Sequence, residues 1–194
     1  LERLKSKQLI TNMTVNQAHF MKQQELVREL VDKGLIKGLG VSLTNVTDEF
    51  IELIKQYPNA VIHVINGVVS TEDLNKLYDM KLKLLILGYK QFRRGNDYYS
   101  SKVETYKTLM YQELSDIINH FKVVSFDNLA IKQLEVKRLL SDEDWNEFYM
   151  GDDGRFTMYI DLVNKQFSRS SISTTRHELL DNIVDMFNVV RNEK

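Results

Sequence analysis

The chain of 194 residues contains no cysteine. That absence excludes a disulfide scaffold, thiol catalysis, a cysteine-type zinc site and a cysteine-ligated iron-sulfur cluster held by this chain. Proline is nearly absent too, and the one present, Pro58, reads as a helix stop. No apolar run approaches the length needed to cross a bilayer, and the N-terminus alternates Lys and Arg with Leu instead of opening a signal peptide. A cytoplasmic protein with no membrane partner is therefore expected. An excess of one charge is also missing: 26 Lys and Arg stand against 27 Asp and Glu, which leaves no overall field to gather nucleic acid. The four histidines, His19, His63, His120 and His177, show no metal-ligand spacing, and no HExxH, G-x-S-x-G, P-loop or dinucleotide fingerprint occurs. No metal site and no catalytic residue is assigned. Asp152 and Asp153 lack the other ligands of a calcium loop and read as a hairpin turn.

What is present is a rhythm. Short β-rich runs at residues 9–16, 38–43, 60–66, 83–88 and 122–126 are each followed by a segment of helical period. Leu26, Val27, Leu30 and Val31 form one apolar stripe, Phe50, Ile51 and Ile54 a second, and Leu74, Leu77 and Tyr78 a third. Ser70 with Asp73 and Ser101 with Glu104 have capping-box spacing, and Gly34 is a stop signal. Five strand-helix units predict an α/β fold with a parallel sheet, curled by the right-handed crossover rule into a partial (β/α) barrel over residues 1–127. From 128 onward the pattern changes. A helix near 130–139, a short one near Trp145, a β-meander around Phe156 to Phe167 and a last helix capped at Thr175 predict a small α+β extension, residues 128–194, packed on the barrel.

Alternation along the strands is the most informative feature, because one residue step flips the side chain to the other face. Met13 and Val15 oppose Asn12, Thr14 and Asn16. Leu39, Val41 and Leu43 oppose Gly38, Gly40 and Ser42, and Val124 and Phe126 oppose Val123, Ser125 and Asp127. The inward row is thus too small and polar to fill a barrel with branched aliphatics, leaving room for a ligand. The alternative is that the glycines relieve twist and the polar groups satisfy one another. Strand ends are where a parallel sheet puts its site. Here they read Asn16-Gln17, Ser42 to Asn45, Asn66-Gly67 and Gly88-Tyr89-Lys90: amides and hydroxyls suited to a nucleoside, with glycines that admit a flat ring. Lys90, Arg93 and Arg94, in the loop closed by Gly95, are candidates for a carboxylate or phosphate, or form a solvated basic loop. Lys90 could alternatively form a Schiff base if buried. His63, within a strand, is expected to be a hydrogen-bonded core residue.

The runs Met13-Thr14-Val15-Asn16-Gln17, Gly38-Leu39-Gly40-Val41-Ser42-Leu43, Val61-Ile62-His63-Val64-Ile65-Asn66-Gly67 and Leu84-Leu85-Ile86-Leu87-Gly88-Tyr89-Lys90 together resemble the second half of a radical S-adenosylmethionine domain. The segments Phe126-Asp127-Asn128-Leu129-Ala130 and Phe148-Tyr149-Met150-Gly151-Asp152-Asp153-Gly154 are similar to C-terminal regions of uncharacterised bacterial and phage members. The resemblance implies half of a TIM-like barrel, with S-adenosylmethionine and a 4Fe-4S cluster as cofactors of the full-length protein. The cluster's three-cysteine loop and the family's glycine-rich motif are missing here, so the chain alone is expected to be inactive. A trimmed terminus, a disordered start or a fragment would each account for a chain beginning at Leu1. By this match Asn16, Ser42, Asn66, Gly67, Gly88 and Tyr89 would face the cofactor, with Lys90, Arg93, Arg94 and Asp127 toward an unknown substrate. The competing readings are a non-catalytic α/β binding or interaction module and a barrel-type aldolase or lyase using Lys90. A truncated barrel also predicts an open edge at the first strand, hidden by N-terminal residues or by self-association.

Overall fold

In a computed structural model, which describes residues 1–193, all five expected strands form. They are β1 (Asn12–Asn16), β2 (Gly38–Ser42), β3 (Val61–Ile65), β4 (Lys83–Leu87) and β5 (Val123–Phe126), paired in that order and parallel throughout. The first is shorter than its apolar run, because Leu9 and Ile10 lie outside it and are 58% and 81% exposed. Consecutive order has a consequence for the helices. When every right-handed crossover steps the same way along a sheet, all of them cross the same face.

Burial agrees. Leu39, Val41, Ile62, Val64, Leu84 and Ile86 are buried, whereas Thr14, Ile65, Val123 and Ser125, which alternate with the covered row, are exposed. The covering helices are α2 (Gln17–Lys22), α3 (Gln24–Asp32), α4 (Asp48–Ile54), α5 (Thr71–Asn75) and α7 (Ser101–Asn119), after a short α1 (Glu2–Ser6) and with α6 (Arg94–Asp97) in the loop after β4. They bring Phe20, Val27, Phe50, Ile54, Leu74, Met110 and Leu114 onto the sheet. Each such side chain contributes about 1.5–3 kcal/mol when fully buried. The stripes form as expected on α4 and around α5, but Leu26 and Val31 of α3 are exposed, so Val27 alone is buried there.

Capping explains where the helices start. Ser70 Oγ accepts from Asp73 N at 3.1 Å, as its spacing predicts. The expected box at Ser101 does not form: the N-cap of α7 is Ser100, and it makes no side-chain cap hydrogen bond. His63 also departs from expectation. Its side chain is half-buried on the uncovered face without a hydrogen bond among the described residues, lying across Gly40, where an added Cβ would meet its Cε1 at 2.5 Å. That glycine is needed for the close approach of His63, so part of the space above the small inward row is already filled.

The chain divides into two compact units, Leu1–Leu139 and the residues from Leu140 onward. The first extends past the division expected after residue 127, because α8 (Asn128–Gln133) and a 3-10 turn (Val136–Leu139) place Ala130, Leu134 and Val136 in the sheet's core. The single helix expected over 130–139 is broken at Glu135, whose φ is 48°. The second unit holds α9 (Asp142–Phe148), then an antiparallel sheet of β6 (Tyr159–Asp161), β7 (Gln166–Ser168) and β8 (His177–Glu178), then α10 (Ile183–Asn192). Phe167, Met186 and Val190 form its core. The last helix starts at Asn182, not Thr175. Asn182 Oδ1 accepts from Val184 N at 2.9 Å, and His177–Glu178 pairs with β7 instead of turning helical. Among the described residues no helix is long and apolar enough to cross a membrane.

One-sided burial sets the expected response to substitution. Ile86→Ala should cost about 2–5 kcal/mol in urea unfolding, while Ser125→Ala should change stability by no more than about 0.5 kcal/mol. Comparable losses at both positions would mean that both faces are covered.

Candidate functional site

The C-terminal ends of β3, β4 and β5, together with the first turns of α7, enclose a cleft of about 680 Å³. Its apolar surface comes from Ile65, Val68, Leu87 and Val103, and tyrosines from three places line it: Tyr89 after β4, Tyr98 in the following loop and Tyr106 on α7. Gly67 turns the chain out of β3 at a φ of +89°, and a Cβ there would lie 2.9 Å from the carbonyl oxygen of Val103. Helix α7 can therefore approach the strand end only because residue 67 is glycine.

The loop after β4 is held from beneath. Gln133 Oε1 accepts from Tyr89 N at 2.9 Å and from Asn66 Nδ2 at 3.1 Å, while Gln133 Nε2 donates to Tyr89 O at 2.9 Å. One amide thus satisfies both backbone groups of Tyr89 and half of the buried Asn66 side chain. Asn66 Oδ1 is buried without a partner. The Tyr89 hydroxyl donates to Gly95 O at 2.7 Å, and an added Cβ at Gly95 would meet Lys90 O at 1.9 Å, so the loop closes only around glycine. Asp127 caps α8, its Oδ1 accepting from Ala130 N at 2.7 Å and from Gly88 N at 2.9 Å.

Charge on the cleft is uneven. Lys102 lines it and makes no ion pair among the described residues, its ammonium instead lying 5.2 Å from the Tyr106 ring centroid. Lys107, one turn along, is paired with Glu104 at 3.0 Å. A hydrogen bond from the Tyr99 hydroxyl, and then one from Lys107, hold the Glu104 carboxyl below the usual carboxylate range. Ser100, also in the lining, leaves the first N–H groups of the 19-residue α7 without a side-chain cap. Those groups carry the positive end of the helix dipole.

Five of the ten residues singled out from the sequence line this cleft: Gly67, Gly88, Tyr89, Lys90 and Asp127. Asn66 lies behind it, buried against Gln133. Asn16 and Ser42 are neighbours at the ends of β1 and β2, away from the lining, and the Asn16 side chain caps α2 by accepting from Ala18 N at 2.9 Å. Arg93 and Arg94 are exposed outside it, with the Arg93 guanidinium 5.3 Å from the Phe92 ring centroid. Gly88 is packed by protein: an added Cβ would meet Leu129 Cγ at 2.4 Å and Ala130 N at 2.7 Å, which leaves no flat ring the space expected there. Lys90 is exposed, which denies a Schiff-base lysine the burial that reading requires. Among the described residues no group of three or more His, Asp or Glu side chains is placed to hold a metal.

No family model, curated protein or solved structure matches the chain. Its chemistry must be read from the cleft itself. Sequence reasoning missed Gln133, Lys102 and Tyr106, which lie on helices, and Ser100, the N-cap of α7, because the alternation of the strands carries no signal for them. The one available signal was the long helix beginning directly after the basic loop. If Gln133 is the clamp, Gln133→Ala leaves Tyr89 N–H and Asn66 Nδ2 unsatisfied and should cost about 1–3 kcal/mol in urea unfolding. A loss below about 0.5 kcal/mol would show that the clamp does not hold the loop.

Proposed function

We propose that the first unit is an incomplete (β/α) barrel that binds a small amphipathic anion in the cleft at its strand ends. The observation carrying this is the coincidence, in one cleft, of an apolar and tyrosine-rich surface with Lys102 and an uncapped helix terminus. A flat or apolar group fits against Ile65, Val68 and the tyrosines, and a carboxylate or phosphate meets the cation and the orphan N–H groups. No histidine lines the cleft, and Asp127 is committed through Oδ1 to two backbone donors, so the arrangement favours binding over proton transfer. The lining therefore supports the reading as a binding module over the aldolase reading.

A second reading, the C-terminal portion of a radical S-adenosylmethionine enzyme, is supported by five consecutive parallel strands whose uncovered row is small and polar on β1 and β2, though apolar at Ile65, Leu85 and Leu87. The fit of its cofactors is uneven. Gly67 and Tyr89 line the cleft, but Gly88 is packed by Leu129 and Ala130, Asn16 and Ser42 lie outside the lining, and Asn66 is turned to Gln133. The cluster needs thiolates, and this chain has none, so no reaction step is assigned to it.

Calorimetric titration separates the readings. An aromatic carboxylate or nucleoside monophosphate should bind, and Lys102→Ala should weaken it by about 10–150-fold, the scale of one charge-assisted contact, with little change in stability. Binding of S-adenosylmethionine with displacement by adenosine, insensitive to Lys102→Ala, would favour the second reading. No binding from either set would reject the cleft as a ligand site.

A further inference from the structure

A cluster remote from the cleft in sequence joins the other end of α7 to the turn after α5. His120 follows the last residue of the helix, and its ring stacks on Tyr78 with centroids 4.0 Å apart and planes inclined by 8°. Nδ1 lies 3.0 Å from Asp79 Oδ1, and Nε2 lies 3.5 Å from Asp116 Oδ1, so each ring nitrogen faces a carboxylate. The backbone reinforces the contact. Asp79 N donates to His120 O at 3.1 Å, and Asp79 holds a φ of 61°, a left-handed conformation uncommon for a residue with a Cβ. The Tyr78 hydroxyl is buried without a hydrogen-bond partner, and Phe121 packs edge-on against the Tyr78 ring.

We propose that His120 is a pH-dependent latch that clasps the turn around Asp79 to the C-terminal end of α7 when its ring is protonated. Only the imidazolium has two N–H groups, so only it donates to both carboxylates. The neutral ring has one N–H, and its other nitrogen then turns a lone pair toward a carboxylate. The groups facing the site point the same way: Asp79 from the turn, Asp116 from α7, and the Tyr78 ring, with Glu113 acting electrostatically on Tyr78. The negative end of the helix dipole adds a preference for a cation at the C-cap. The hydrogen bond with Asp79 first, and then the charges of Asp79 and Asp116, raise the His120 pKa against an opposing effect of burial. Burial first, and the Asp116 and Glu113 carboxylates after it, push Tyr78 up to about 12, so that ring stays neutral while His120 titrates.

The sign follows from linkage. A folded-state pKa raised above the unfolded value gives stabilisation that is complete below the unfolded value, about 6.5 for histidine, and is lost as pH rises through the folded one. The latch is independent of what the cleft binds. Its test is an NMR titration of the His120 ring in the intact chain, with thermal unfolding of the wild type, Asp79→Asn and Asp116→Asn at about pH 5.5 and about pH 8.5. His120 should titrate above its ordinary value in the wild type and nearer to it in each variant. The wild type's advantage in melting temperature over each variant should be larger at the lower pH. Titration at or below the ordinary value, or an advantage equal at both pH values, would overturn the proposal. Should the variants not fold, the wild-type titration still decides it.

Discussion

Everything in the first unit depends on the burial of one face of a parallel sheet. Parallel sheets are normally covered on both faces, because their crossovers place helices above and below. Here consecutive order sends all crossovers to one side, where Ile62, Val64, Leu84 and Ile86 are buried beneath α4, α5 and α7. The opposite row carries Asn12, Thr14, Asn16 and Ser125, which cost little to leave in water. It also carries Ile65 and Val123, which do not share that tolerance. Curling the sheet toward its open face would shelter those apolar members.

The strand ends show how such a sheet builds loops without losing backbone hydrogen bonds. Two glutamines do similar work on opposite sides. Gln17, buried at the start of α2, donates to Asn45 O at 2.7 Å and accepts from Thr44 N at 2.8 Å and Asn45 N at 3.1 Å. Gln133, at the end of α8, does the equivalent for Tyr89. In both cases a helix next to a neighbouring strand supplies an amide that substitutes for the ladder partner the loop has lost. The cleft forms beside the second clamp, where Gly67 lets α7 close in and Gly95 lets the loop fold back on Lys90.

Much of the fold was legible because its signals are local. Period-two alternation in residues 38–43 and 122–126 located the strands and assigned their faces, and Ser70 with Asp73 marked a real helix start. The failures came where a distant partner decides. Thr175 and Glu178 have the spacing of a helix cap, yet pairing with β7 takes His177–Glu178 into a sheet. Glu135 reads as helix interior but adopts a left-handed conformation between two helical turns. The candidate site was half legible. Strand ends gave Tyr89, Lys90 and Asp127, whereas Lys102, Tyr106 and Gln133 reach the same place from helices, which no strand pattern reveals. Asn16 and Gly88 were polar and small for structural reasons, one to cap α2 and the other to admit Leu129. The N-terminal residues do not add a strand beside β1, which remains the first strand of the sheet.

The natural absence of cysteine makes the central claim directly measurable, since a single introduced thiol is the only one in the chain. Thiols placed one at a time at Thr14, Val15, Val124 and Ser125 report on both faces of the two edge strands through their rates of reaction with a soluble disulfide reagent. One-sided burial predicts alternation: fast labelling at Thr14 and Ser125, slow labelling at Val15 and Val124. Uniform protection along both strands, or fast labelling at Val15 and Val124, would contradict it.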